Sequence, residues 1–334
     1  MGYTAKPSYL IDSLKSLPEV KKSIDYFVST FWLPLHSSDN SIILYHYTSA
    51  EGLEGIIKER AFRFSHIMTL NDPLELVYGK NLIIYNIESF IKKENDKFVL
   101  EVLEDLIMLL NAYATGLYHT FVACFCEEAN LLSQWRGYAN KGGGYNIGII
   151  FNDDVRFNHQ IDKLDEKNIT IPLRKVLYEE EIQNDIIKKC IRNVIGGIKK
   201  AAESNISGAS AHEEALSIVN ILIEIMLTFK NKVFSEENEW RLISVSLAGA
   251  LPELIKFRTS NGYLVPYINT YIYTKENEKL LFPVESIKYG PSLEETRTDS
   301  ALDLFLVSES KANHPIKINA GKIKLVSSGY QIRN

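Results

Sequence analysis

A chain of 334 residues, 46% hydrophobic and 24% charged, has the length for one large domain or two small ones and can bury a substantial core. Its formal net charge of −5 excludes the global basic field that coats nucleic acid, while leaving room for a local basic groove. Three cysteines are too few for a disulfide framework. Cys124 and Cys126 are two apart in a strand-like run and point the same way, but no second pair or nearby histidine completes a zinc site. Buried free thiols, with Cys190 as the third, are expected.

The opening residues MGYTAKPSYLIDSLKSLP pair no basic stretch with an apolar run, and no window approaches about 18 apolar residues. A cytoplasmic protein without membrane contact is therefore expected. Residues 7 to 32 read as one or two helices broken at Leu17-Pro18, with Val20, Ile24, Phe27 and Phe31 as the apolar stripe of an N-terminal helical segment, 1–40. Ser41 to Tyr47 form the first strand, and Thr48 and Ser49 are both good caps for a helix that buries Leu53, Ile56 and Ile57. Ala61 to Ser65 is a second strand. Asn71-Asp72-Pro73-Leu74-Glu75 reads as a helix entrance, with Asp72 at the cap, Pro73 at the first helical position and Asn71 free to face a cleft. Two helices follow, to about residue 92 and from about 94 to 115.

Thr120 to Cys126 is a strand, Leu131 to Tyr138 a short helix, Gly142-Gly143-Gly144 a turn, and Tyr145 to Phe151 an alternating strand. Ile169 to Tyr178 contains another strand. Helices over 179–202 and 213–229 make a helical insertion, 179–230, before a strand from Glu239 to Val245. The C-terminal third holds strands near Tyr263–Tyr273, Ser286–Tyr289 and Ile316–Val326, with a helix from Ser292 to about Val307. No regular βαβ alternation and no G-x-G-x-x-G appear, which excludes a dinucleotide-binding doubly wound sheet and favours a single mixed α+β domain, 1–334.

Three constellations could carry chemistry. His46 ends the first strand, where scaffolds present functional groups, although a lone histidine is more often structural. Glu237 and Glu239 stand two apart in FSEENEWRLISV with Arg241 continuing the series. Paired carboxylates suit a sugar that develops positive charge, and the competing reading is a solvated acidic loop. In LSQWRGY, Arg136 matches a phosphate, and Trp135, Tyr138 or Tyr145 could stack on a base, against a reading of core aromatics beside a helix-ending arginine. The remaining histidines show no metal spacing, and no metal is expected.

LYHYTSAEGLEGIIKERAFRFSHIMTLNDPLE, LSQWRGYANKGGGYNIGIIFN and FSEENEWRLIS, in that order across residues 42–290, resemble a bacterial family catalogued as a domain of unknown function. That family is similar in turn to the ADP-ribosyltransferase superfamily. The resemblance implies an α+β fold with a split mixed β-sheet core over 42–290 and a C-terminal helix and strand over 291–334. It also implies NAD as co-substrate. On this resemblance His46 hydrogen-bonds the NAD ribose, and Tyr47, Thr48, Ser65, Asn71, Trp135, Arg136, Tyr138 and Tyr145 are the further cofactor-binding candidates. Glu239 engages the nicotinamide-ribose hydroxyl, and Glu237 orients or deprotonates the acceptor. The implied acceptor is a macromolecule (RNA, DNA or protein), and the implied setting is a toxin or antiviral effector with an antitoxin or chaperone partner. Two other classes compete: a non-catalytic nucleotide- or peptide-binding module in which Glu239–Arg241 is a structural ion pair, and an NAD-independent nuclease or phosphotransferase using His46 with Arg136. Two geometric expectations follow. His46 and Glu239 should lie on adjacent strands facing one pocket, a reading that fails if they face opposite sides of the sheet, and Glu239→Gln should abolish NAD consumption with the fold intact.

Overall fold

The computed structural model describes residues 41–70, 74–113, 118–164, 169, 171–203, 211–247, 252–260 and 262–329. The expected N-terminal helices and Asn71-Asp72-Pro73 lie outside the described residues.

Strand β1 (Ile42–Thr48) runs into α1 (Ala50–Glu59), whose first turn is capped by Ser49 Oγ accepting from Gly52 N at 3.1 Å. Arg60 ends α1 in the left-handed region (φ 51°) and starts β2 (Ala61–His66). Helices α2 (Leu74–Ile91) and α3 (Lys97–Ala112) precede β3 (Tyr118–Cys126). Then come α4 (Leu132–Gly137), β4 (Tyr145–Phe151), β5 (Arg156–Asn158) and β6 (Leu173–Lys175). Helices α5 (Glu180–Glu203) and α6 (Ala211–Leu227) lead to β7 (Glu239–Leu247), β8 (Ile255–Ser260), β9 (Tyr263–Glu276), β10 (Lys279–Leu281) and β11 (Val284–Tyr289). Helix α7 (Glu295–Ser310) and the short strands β12 (Ile316–Lys317) and β13 (Lys324–Ser327) complete the described chain.

These strands form one mixed sheet whose main path is β12-β10-β9-β2-β3-β1-β4-β11-β13; β7 also pairs with β3, and β8 with β9. The architecture is mixed α+β. Strand β3 is the hinge of the sheet. One of its edges is filled by β7 along its whole length, Tyr118↔Leu247 to Cys126↔Glu239. The other edge is shared: β2 pairs at Phe121 and Val122, β1 only at Cys126. Between them, Ala123 to Phe125 has no strand neighbour on that edge, so the sheet splits there.

Alternation along the strands sorts the core into two layers. On one face Phe62, Phe64, Phe121, Phe125, Ile147, Ile149, Trp240 and Leu242 pack under α1 and α7. On the other, Val122 and Ile243 pack under a four-helix layer of α2, α3, α5 and α6. The helical insertion is thus part of a shared core with α2 and α3. A smaller cluster of Tyr47, Cys126, Trp135 and Ala139 lies beside it.

The strand expected within Ile169–Tyr178 is β6, three residues long, with single bridges at Ile169 and Leu177. Pro172 has no N–H for a ladder, and only its carbonyl is used, accepting from Ile243 N. The strand expected over Ile316–Val326 is interrupted by a turn of 3-10 helix at Ala320–Lys322. Strands β5, β8 and β10 were not anticipated.

The glycine turn is a packing device. A Cβ at Gly144 would lie 2.3 Å from Thr48 O and 2.9 Å from Ala139 Cα, both backbone atoms that cannot rotate away. Gly144→Ala is expected to cost on the order of 1–3 kcal/mol through overpacking. A chemical-denaturation midpoint unchanged from wild type would refute this account of the turn.

Candidate active site

Residues 228–241 build the site. Phe229 bridges to Leu177, Lys230 N donates to Leu177 O at 3.1 Å, and Gln183 Nε2 donates to Lys230 O at 3.0 Å, so the backbone at Lys230 is pinned on both sides. Asn231 caps a 3-10 helix, Lys232–Glu237, which stops at Asn238 in the left-handed region (φ 41°), a conformation asparagine tolerates. That reversal brings Glu237 back alongside Glu239. The two carboxylates therefore meet through a turn and not through strand alternation, because Glu237 precedes β7.

The Glu239 carboxylate, on a residue 6% exposed, is fully engaged. Arg241 grips it in a fork, Nε to Oε1 at 2.7 Å and Nη2 to Oε2 at 2.9 Å, and Lys230 Nζ reaches Oε2 at 3.2 Å. Lys230 Nζ also holds Glu237 Oε2 at 2.5 Å and sits 4.9 Å from the Phe234 ring centroid. Burial alone would push the Glu239 carboxyl up. The charges of Arg241 and then Lys230 outweigh it, helped by hydrogen bonds from Arg241 and the Cys124 thiol, and hold it well below the usual range. Tyr178 Oη accepts from Glu239 N at 3.0 Å and so fixes the start of β7. The outer carboxylate is less enclosed: the Glu237 side chain keeps 17% of its surface, and Tyr138 Oη donates to its Oε1 at 3.4 Å. Burial and the Glu237 charge raise the Tyr138 phenol.

The expected partnership of His46 with Glu239 is corrected. Strand β3 lies between β1 and β7, so the strands are not adjacent. Tyr45, Cys126 and Glu239 stand in one cross-strand row and share a face, which sends the next residue, His46, to the other side. The His46 ring packs against Phe62 (5.2 Å, edge-on) and Phe125 (5.6 Å). Its Nδ1–H donates to Cys124 O at 2.8 Å, satisfying a carbonyl in the stretch where the sheet splits. Burial foremost lowers the pKa of this imidazole, against the hydrogen bond to Cys124 O and with the positive charge of Arg258. His46 is a structural plug of the split.

The other anticipated residues divide the same way. Tyr47 is buried, with Oη donating to Glu128 O at 2.8 Å and accepting from Leu131 N at 2.9 Å. Trp135 is 0% exposed, stacked edge-on against Tyr47 at 4.9 Å with Nε1 donating to Asn130 Oδ1 at 2.8 Å, so it has no face left for a ligand. Thr48 packs its Oγ1 over Gly52 and pairs in register with Tyr145, whose ring joins the aromatic layer under α1 and α7. Of the two candidate tyrosines, Tyr138 is the one at the carboxylates. Arg136 is exposed on α4, and Ser65 Oγ accepts from Arg258 Nη2 at 3.2 Å. Lys230 and Tyr178 were not anticipated: they precede the carboxylates by irregular spacings, and only the bridge between 177 and 229 brings them in. Among the described residues no three His, Cys, Asp or Glu are placed to hold a metal, and no helix is long and apolar enough to cross a membrane.

The fold and site define a mixed α+β protein with a charge-compensated carboxylate pair at the mouth of a central strand. Residues 134–242 match the model of a family described as protein of unknown function (DUF2971). That segment runs from Gln134 in α4 to Leu242 in β7 and contains Tyr138, Lys230, Glu237, Glu239 and Arg241. No curated protein and no solved structure matches the chain.

Proposed function

We propose that this protein is an NAD-dependent ADP-ribosyltransferase acting on a macromolecular acceptor, with Glu237 as the carboxylate that touches substrate. The observation that supports the reading is the graded pair: an inner carboxylate saturated by Arg241 and Lys230, and an outer one that keeps solvent access beside the Tyr138 hydroxyl. Glu237 Oε1 has the exposure to accept from a ribose hydroxyl and to offset positive charge on the sugar. Tyr138, 41% exposed, offers a ring for the leaving base. Glu239 acts through Lys230 as a positioning residue, since a buried, fully paired carboxylate has no room for a ligand.

The reaction breaks the bond from ribose C1′ to the nicotinamide nitrogen and forms one from C1′ to the acceptor nucleophile. Nicotinamide leaves with the bonding pair, and the nucleophile's proton passes to Glu237 or solvent. The test is incubation with labelled NAD and cell lysate. Label transferred to protein or nucleic acid by wild type, and not by Glu237→Gln, supports the proposal, whereas no nicotinamide release above background rejects it.

A second reading has its own observation. Each of the two carboxylates is held by a buried cation, Glu239 by Arg241 and Lys230 and Glu237 by Lys230, which is how a structural ion-pair cluster in a non-catalytic binding module would look. That reading expects the same labelled NAD to be bound or ignored but never consumed.

A further inference from the structure

Two guanidinium groups are anchored on one cross-strand pair, on the β2–β9 side of the split. Ser65 of β2 and Tyr267 of β9 are register partners. Arg258 of β8 donates to Ser65 Oγ at 3.2 Å, and Arg63 of β2 lies over the Tyr267 ring, 5.4 Å from its centroid. Arg63 has one carboxylate partner, Glu59 at 3.2 Å, which is already shared with the Asn269 amide. Arg258 pairs with no carboxylate among the described residues. Alternation puts the exposed Lys256 on the same side of β8. Burial first, and then the charge of Arg63, disfavour protonation of Arg258. Like charges held together with so little counter-charge are relieved by an anion. Paired planar guanidinium forks match the oxygens of a phosphate better than any single ammonium does.

We propose that Arg63 and Arg258 form an oxyanion site for a phosphate-bearing ligand laid across the Ser65–Tyr267 pair. Tyr263, 75% exposed at the tip of the β8–β9 hairpin and on the Arg258 side of it, offers a ring on which a base attached to that phosphate can stack. The phosphate of a free nucleotide and that of a nucleic-acid strand present the same chemistry here. The site lies outside residues 134–242 and shares no residue with the carboxylate cluster, and it stands whether or not NAD is consumed.

Binding of inorganic pyrophosphate, ADP and a short fluorescein-labelled single-stranded oligonucleotide, measured separately by calorimetry or anisotropy, tests it. Wild type is expected to bind at least one probe, with Arg258→Gln and Arg63→Gln each weaker by about tenfold or more. Arg258→Lys, which keeps the charge and loses the fork, should fall between. Binding of pyrophosphate and ADP identifies a free nucleotide as the source, and binding of the oligonucleotide alone identifies a strand. Pyrophosphate carries no ribose for Glu237 to engage, so its binding is read separately from the proposed transfer chemistry. The proposal is overturned if no probe binds wild type, or if the arginine variants bind as tightly. Should a Gln variant fail to fold, Arg258→Lys decides: an affinity equal to wild type overturns the assignment.

Discussion

Glu239→Gln is expected to destabilise the protein by about 3–5 kcal/mol, because it leaves two buried cations without their shared counter-charge. Arg241 would lose the charged fork while its bond to Leu227 O (2.9 Å) remains, and Lys230 would lose one of the two carboxylates it touches, Glu237 remaining. This replaces the expectation, drawn from motif order, that the substitution spares the fold. The pH dependence has a definite sign. The folded carboxyl is held below its ordinary value, so its contribution is complete above the unfolded carboxyl range and is lost as pH falls toward the depressed folded value of about 2. The gap in unfolding free energy between wild type and variant should therefore be widest near neutrality and narrow between about pH 4.5 and pH 2. Urea titrations at pH 7 and pH 3 measure both quantities. Equal stability at pH 7 would show that the cluster has a different charge balance from the one described.

Glu237→Gln is expected to behave in the opposite manner, losing about a hundredfold or more of NAD turnover while staying close to wild type in stability. Lys230 retains Glu239 when Glu237 is neutralised, so no buried cation is orphaned. The 3-10 turn, its Asn231 cap and the left-handed Asn238 do not involve the carboxylate. The measurement is nicotinamide release at saturating NAD, with the denaturation midpoint as control. A variant that releases nicotinamide like the parent removes Glu237 from the chemistry. A variant that loses both stability and turnover makes Glu237 a structural member of the cluster. Read together, the two substitutions separate the inner carboxylate, whose work is charge compensation, from the outer one.

Much of the element order was legible in the residues. The IILYHYT strand, the Ser49 cap, the strand over Tyr145–Phe151 and the paired helices 179–203 and 211–227 follow from period-two and period-3.6 patterns and local capping chemistry. The candidate site was legible only as a list of residue types. The nearness of Glu237 and Glu239 in sequence pointed to a pair, but what joins them is the left-handed turn at Asn238 and not the strand alternation their spacing suggests. That Lys230 bridges them could not be read from spacing, since it depends on a single bridge between chain segments more than fifty residues apart.

The sequence by itself determined the mixed α+β class, the carboxylate pair with its arginine, and the glycine turn behind β1, because each depends on near neighbours or on one element's periodicity. Only the tertiary structure decided which side of the sheet each candidate faces. Facing is set by strand order and register, and a shift of one residue reverses it. With β3 between β1 and β7, His46 faces the opposite side of the sheet from Glu239; Trp135 is buried against Tyr47, Tyr145 is half-buried against the layer under α1 and α7, and Tyr138 lies at the carboxylates. The pairing of β9 with both β2 and β8 brought Arg63 and Arg258, unremarkable in sequence, onto one pair of strand residues.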